Sequence, residues 1–199
     1  LEFGRILDWN SSQKKEDALQ IITLSDHGQL TVCGKTLDLK KRLQEVGLKV
    51  GESPGNGTDV LLTVDSAGGI YVRDSDPELI RFMVDWLQQQ PWCGPVLTKS
   101  GENSLKLEDV GLDHRRAPDI ALVLKSDDSV NTHGIQGGCR NNACYYPIGG
   151  GIHGGLHASE LTSWLAADGD CFRSRHTSDL SSGIIDILPT VLHLLDIPV

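Results

Sequence analysis

The chain has 199 residues, of which 39% are hydrophobic and 23% charged, and its formal net charge is −9. This length can bury one sizeable core, and the negative balance argues against a nucleic-acid polymer as partner, because phosphate backbones are bound through clustered Lys and Arg. No stretch approaches the roughly 18 to 20 apolar residues that span a bilayer, so the sequence predicts no membrane segment. Composition leaves the compartment and the oligomeric state open.

The first predicted elements lead to a carboxylate and an imidazole at the end of an apolar strand. Residues 1–17 read as the end of a helix followed by a polar turn, and the apolar run 18–24 predicts a buried strand. Asp26 and His27 follow this strand directly. Because an open α/β sheet gathers ligands beyond the carboxyl ends of its strands, adjacent Asp and His indicate oxygen and nitrogen donors for a divalent ion.

The middle of the chain predicts alternating strands and helices. A short strand at 29–32 precedes a helix at 37–46, and a strand pair is predicted at 60–64 and 69–72. Asp76 as N-cap and Pro77 in the first turn then start a helix that ends before Pro91. Its apolar residues recur at helical spacing and predict core packing: Leu79, Phe82, Met83, Trp86 and Leu87.

Two apolar strands are predicted next, at 96–98 and 120–124. Asp127 and Asp128 follow the second strand. After a strand, Asp more often forms a turn or a helix N-cap than a metal site. The Gly- and Asn-rich segment 131–155 is predicted to be a long loop, and long loops in compact domains are often functional.

This predicted loop contains His153 within the run Gly149–Gly155, whose flexibility allows His153 to reach the crevice of Asp26 and His27. His133 is interpreted as an ordinary loop residue. His157 is interpreted as a substrate-facing or solvent residue, because Gly154 and Gly155 disfavour a helix that would pair it with His153.

The last elements are a short helix or helix-to-strand segment at 158–165 and an amphipathic helix at 184–195. The inward face of this second helix is predicted to carry Ile187, Leu188, Val191, Leu192 and Leu195. Strands alternate with helices through much of the chain, and this pattern favours an α/β fold over a sandwich or a bundle.

Five motifs occur in an order that resembles one family, and a lone Asp-His-Gly would be weak evidence for it. The specificity comes from that motif following a buried strand, with a separate His-Gly loop and an Asp-Ile-x-Pro-Thr helix downstream. The motifs are Ser25–Gln29, Ala117–Ile120, Gly151–Leu156, Asp186–Thr190 and Leu194–Pro198. The chain resembles the C-terminal half of the alkaline phosphatase superfamily, closest to the type I phosphodiesterase/nucleotide pyrophosphatase branch.

The resemblance implies an α/β fold with an alkaline-phosphatase-like layered sheet and flanking helices, incomplete here. Residues 1–32 and 117–199 would form the metallohydrolase core, and 33–116 an inserted α+β lobe. The family uses two divalent ions, usually zinc, to hold a phosphoryl group between a Thr or Ser nucleophile and a leaving oxygen. Asp26 and His27 match the neighbouring ligands of one ion, and His153 matches the late histidine ligand of the other.

The function implied is metal-dependent hydrolysis of small-molecule phosphate esters, at phosphodiester or pyrophosphate bonds. The family's nucleophile and its Asp-x-x-x-His pair are expected upstream of Asp26, and Asp8 has no histidine four positions later. The chain is therefore expected to be a fragment that is not fully active by itself. Two alternatives remain: a non-catalytic binding domain that keeps the fold, and a sulfatase-type hydrolase, which would need a modifiable Cys or Ser upstream.

The five cysteines leave the redox environment open. Cys139 and Cys144 are close enough in sequence to close a local loop. A disulfide between them is one reading, and scattered free thiols are the other.

Overall fold

The computed structural model describes residues 2–14, 18–52, 57–142 and 146–198 and is a mixed α/β structure. The coarse α/β class predicted from the sequence is therefore confirmed. The chain divides into two units, which we call the terminal unit, Leu1–Asp26 with Ser163–Val199, and the central unit, His27–Thr162.

The described residues form five α-helices and twelve strands. In chain order the helices are α1 (Glu2–Ser11), α2 (Leu39–Glu45), α3 (Pro77–Gln88), α4 (Ala158–Leu161) and α5 (Ile187–Leu194). The strands are β1 (Ile21–Leu24), β2 (Leu30–Val32), β3 (Val50–Gly51), β4 (Val60–Val64), β5 (Ala67–Val72), β6 (Cys93–Thr98), β7 (Leu105–Lys106), β8 (Ile120–Leu124), β9 (Ser126–Val130), β10 (Gln136–Cys139), β11 (Gly151–Ile152) and β12 (Leu165–Asp168).

The larger sheet of the central unit has six strands in the order β3-β4-β5-β8-β6-β7. The predicted strand pair is confirmed as the hairpin β4–β5, with Val60 opposite Val72 and Val64 opposite Gly68. A side chain at position 68 would overlap the carbonyl oxygen of Thr63, so this tight hairpin requires glycine. β8 pairs with β5 and β6, and all five of its residues are buried, so both of its faces are covered, which explains its continuous apolar run.

Helix α3 provides much of the core beside this sheet. Asp76 caps it as predicted, accepting hydrogen bonds from the backbone N–H groups of Glu78 and Leu79 at 2.9 and 3.4 Å. Its buried residues Met83, Val84 and Leu87 join the largest apolar cluster of the unit. The predicted core position of Phe82 is wrong, because this ring is 45% exposed.

The second sheet of the central unit has the order β11-β2-β10-β9 and corrects the long loop predicted at 131–155. β10 pairs in parallel with β2, and β11 pairs antiparallel with it. The glycines of β10 allow close packing: a side chain at Gly137 would overlap Leu30, and one at Gly138 would overlap Ser129. These glycines were interpreted from the sequence as part of a flexible loop, but in the structure they allow neighbouring strands to pack closely.

The turn predicted at Asp127 and Asp128 is also wrong, because both residues lie inside β9, antiparallel to β10. Cys144, the other residue of the possible disulfide, lies outside the described residues. Cys139 is buried as a free thiol.

The terminal unit contains α1, α5 and a two-stranded antiparallel sheet in which β1 pairs with β12, Ile21 lying opposite Asp168 and Leu24 opposite Leu165. The strand predicted at 18–24 begins only at Ile21, for a local reason. The Asn10 side chain donates to the Leu19 carbonyl at 2.9 Å and accepts from the Leu19 N–H at 2.7 Å. Asn10 thus bonds the backbone groups that a neighbouring strand would otherwise pair.

The helix predicted at 184–195 consists of a 3₁₀ turn, Ile184–Asp186, followed by α5. Ile187, Val191 and Leu192 are half-buried, as an inward face requires. The predicted inward positions of Leu188 and Leu195 are wrong, since these side chains are 64% and 63% exposed. Across the described ranges, no helix combines the length and apolarity needed to cross a membrane.

Candidate functional site

The structure brings His27 and His153 together within the central unit. Their rings stack with centroids 3.8 Å apart and planes inclined by 21°. His27 lies just before β2, and His153 lies just after β11, which runs antiparallel to β2 with Ile152 opposite Leu30. Both histidines therefore lie at the same end of the four-stranded sheet.

A contact with the next residue's carbonyl group sets the ring orientation of His27. Its Nδ1 lies 2.8 Å from the carbonyl oxygen of Gly28. A carbonyl oxygen only accepts, so this contact is a hydrogen bond when Nδ1 carries the proton. In the neutral ring that tautomer leaves a lone pair on Nε2, which is the form of imidazole that binds metal ions.

The loop that carries His153 is anchored to the larger sheet. Ser66, in the turn between β4 and β5, donates its hydroxyl proton to the backbone carbonyl oxygen of His153 at 2.9 Å. The Ser66 side chain is buried, whereas the His153 side chain is exposed. The backbone at position 153 is thus tied to a rigid hairpin while its ring remains accessible.

Gly28, which follows His27, lies directly against α4. Its N–H donates to the carbonyl oxygen of Glu160 at 2.8 Å, and a side chain at this position would overlap backbone oxygens of Ser159 and Thr162. The glycine of the Asp-His-Gly motif therefore allows close approach of α4 to the segment that holds His27.

The sequence interpretation of His157 as a substrate-facing or solvent residue is wrong. His157 is the N-cap of α4, where its Nδ1 accepts from the N–H of Ser159 at 3.1 Å. Its Nε2 lies 3.3 Å from Oδ1 of Asp128, and its side chain is only 12% exposed. These contacts give His157 a structural role in holding α4.

Glu160 is a positioning residue that the sequence interpretation missed. Only 3% of it is exposed, and its carboxylate accepts from the N–H of Gly155 at 2.9 Å and of His157 at 3.3 Å. The backbone that follows His153 is thereby joined to α4. The spacing His157-x-x-Glu160 resembles a capping box, but histidine is not among the usual N-cap residues, so the pattern was not recognised.

Asp26, the third predicted ligand, is an exposed residue that belongs to the terminal unit and immediately precedes His27 in the chain. Within the described part of the chain, no group of three or more His, Cys, Asp and Glu side chains is arranged to hold a metal ion. The metal site predicted at Asp26, His27 and His153 stays a prediction.

Comparisons with known proteins add no family assignment. No protein-family model matches the chain, and the search of curated proteins also finds no match.

Proposed function

We propose that the chain is the metal-binding second half of an alkaline-phosphatase-like hydrolase, closest to the type I phosphodiesterase/nucleotide pyrophosphatase branch. The proposed reaction is the hydrolysis of phosphodiester or pyrophosphate bonds in small phosphate esters. Asp26 and His27 are assigned to one divalent ion and His153 to a second. The observation that carries this proposal is the stacking of His27 on His153.

The stacking geometry favours two ions over one. An imidazole lone pair lies in the plane of its ring, and zinc binds ring nitrogen at about 2.0–2.1 Å. Two nearly parallel rings with centroids 3.8 Å apart cannot both direct a lone pair at a single ion at that distance. Ligands spaced in this way suit a pair of ions, and catalytic metal pairs lie about 3.5–4 Å apart.

The surrounding hydrogen bonds support the same assignment. The contact of Nδ1 of His27 with the Gly28 carbonyl favours the tautomer that ligates through Nε2, and carbonyl partners of this kind commonly orient metal-bound histidines. Ser66 holds the His153 backbone without engaging its ring. The chain's own residues thus orient one ring and anchor the loop of the other.

Two bound cations would stabilise the negative charge on the attacking and leaving oxygens of a phosphate ester, which is a poor electrophile. The nucleophile is proposed to come from sequence outside these 199 residues, as the family resemblance implies. The role proposed for this chain is therefore to supply three of the metal ligands.

Zinc binding by the chain tests the assignment. We expect the chain to bind Zn²⁺ in calorimetric titration, and Asp26→Asn, His27→Ala and His153→Ala each to weaken binding by at least about tenfold, since even loss of an outer-shell partner costs about 10–100-fold. His133→Ala is the matched control, because His133 is an exposed loop histidine also followed by glycine. If His133→Ala and His153→Ala weakened zinc binding equally, the proposal would be contradicted.

A second measurement tests the reaction itself. A protein that contains this chain together with the proposed upstream half should hydrolyse an aryl phosphodiester, and both a chelator and His153→Ala should abolish turnover. Turnover that survives both treatments would rule out the two-metal mechanism. Zinc binding without any hydrolysis would instead support the non-catalytic binding domain.

A further inference from the structure

A cavity of about 230 Å³ opens at the other end of β2 from the histidine pair. The chain leaves β2 at Cys33 and leaves the parallel β10 at Arg140, so the carboxyl ends of both strands reach it. Ligands of α/β proteins often bind at such ends. We call it the Trp92 cavity, and its lining includes Cys33, Trp92, Lys125, Ser126, Asp127 and Arg140.

Two cationic side chains, Lys125 and Arg140, line the Trp92 cavity. Lys125 and Arg140 are exposed, and among the described residues neither makes a side-chain hydrogen bond or salt bridge. An unpaired guanidinium and an unpaired ammonium at one cavity favour an anionic ligand, since both recognise phosphate and carboxylate oxygens.

Two neutral side chains of the lining, Trp92 and Cys33, carry polar hydrogens. Trp92 is only 6% exposed, and its indole N–H is buried without an acceptor in the described part of the chain. Burial holds the pKa of the Cys33 thiol above its ordinary value, with Asp127 adding to this shift and Arg140 opposing it, so the thiol carries no charge at neutral pH.

Asp127 is the negative group in the lining and opposes an anion. Its Oδ1 accepts from the N–H of Ser129 at 2.9 Å. Hydrogen bonds from Ser129, with a smaller contribution from His157, hold the pKa of Asp127 below its ordinary value, so it stays ionised at neutral pH. The two cations nevertheless leave the lining with an excess of positive charge.

We propose that the Trp92 cavity binds a small phosphate-type oxyanion, held by Lys125 and Arg140 beside the Trp92 side chain. The volume suits a phosphate group or a small phosphate ester, because sites for drug-sized ligands are larger, about 300–1,000 Å³. This binding site goes beyond the proposed hydrolysis and does not depend on it.

Titration with inorganic phosphate, followed by the indole N–H signals in ¹H–¹⁵N correlation spectra, tests the proposal. The chain has four tryptophans, and Trp92→Phe identifies the signal to follow. We expect a saturable shift of the Trp92 signal with phosphate and not with chloride at equal ionic strength. A chelator in every sample keeps metal-bound phosphate out of the measurement.

Removing a positive charge and removing a negative charge from the lining should change the affinity for phosphate in opposite directions, which makes the test specific. Lys125→Ala and Arg140→Ala should each weaken phosphate binding by about tenfold, the value of one charge-assisted contact. Lys106→Ala, on the exposed strand β7, is the matched control and should leave binding unchanged. Asp127→Asn should tighten binding by roughly threefold or more, because an opposing charge is removed.

A variant that had merely lost its fold could not show this tightening. The proposal is overturned if phosphate gives no saturable shift, or if chloride gives the same one. It is also overturned if Arg140→Ala and Lys106→Ala behave alike, or if Asp127→Asn binds phosphate more weakly.

Discussion

Among the glycines beside the histidine pair, Gly28 leaves the least room for a side chain. An added methyl group would lie 2.8 Å from the carbonyl oxygen of Thr162 and would overlap that of Ser159. We expect Gly28→Ala to lower the free energy of unfolding by about 1–3 kcal/mol, because the backbone must shift to relieve the overlap. Urea denaturation measures this loss, and zinc titration shows whether His27 is displaced with it.

Gly4 provides the matched control for this substitution. It lies inside α1 with open space around its Cα. Gly4→Ala should leave the stability unchanged or raise it by up to about 1 kcal/mol, because alanine favours helix more than glycine does. If Gly28→Ala were as stable as the unmodified chain, the close approach of α4 would not constrain this segment.

The histidine pair was easier to predict from the sequence than the residues that position it. His27 stood out because its His-Gly motif follows an apolar strand, and His153 because its His-Gly motif lies in a glycine-rich loop. Glu160 carried no such signal, because a glutamate in a short helix is usually exposed and only the three-dimensional contacts bury it. The same contacts assign His157 to the cap of α4.

The buried side-chain amide of Asn10 links α1 to the residues just before β1. Asn10 is 5% exposed and makes two hydrogen bonds with the backbone of Leu19. Asn10→Ala leaves both backbone groups without this partner, and we expect a loss of about 1–3 kcal/mol together with faster amide exchange in β1. Hydrogen exchange of the peptide that covers residues 18–24 measures the local effect.

Ser11→Ala is the control for this element, since Ser11 is exposed and its hydroxyl donates to the Leu7 carbonyl within α1. Ser11→Ala should change the free energy of unfolding by no more than about 0.5 kcal/mol. Similar exchange rates in the two variants would show that the Asn10 contacts do not hold β1.

Elements were predictable where burial leaves a regular apolar pattern. β8 and α3 were predicted because both faces of β8 and one face of α3 are buried. β10 and β11 were missed because strands of two to four residues, rich in glycine, have no alternation to detect. The late start of β1 was missed because it depends on Asn10, a contact that hydrophobic periodicity cannot represent.

The two units of the molecule should differ in stability. Among the described residues, every buried hydrophobic side chain lies in the central unit, between Leu30 and Ile152. The terminal unit instead exposes large apolar side chains, with Leu180 84% and Ile185 81% exposed. Its sheet has two short strands, and such sheets are marginally stable in water.

We therefore expect the amides of β1 and β12 to exchange at a lower free energy of opening than those of β4, β5 and β8. Hydrogen exchange followed by mass spectrometry on the intact chain compares these strands directly. Equal protection in the two units would contradict this expectation and would show that the molecule opens as a whole.

At the scale of the whole chain, the meeting of His27 and His153 was predicted from the order of the motifs and from the flexibility of the glycine-rich loop. It could not predict the structure around them, because their orientation comes from the Gly28 carbonyl, Ser66 and Glu160, which lie on separate parts of the chain. The specific alkaline-phosphatase-like arrangement remains part of the proposal.

The glycines of β10 have a consequence for how this protein tolerates sequence change. Gly137 and Gly138 occupy a stretch that composition marks as permissive, yet neighbouring side chains fill the space beside each Cα. Substitutions at these two positions should therefore be tolerated less often than substitutions at solvent-facing positions of regular helices. These glycines should change slowly during evolution, although a glycine-rich composition is usually taken as a sign of a variable loop.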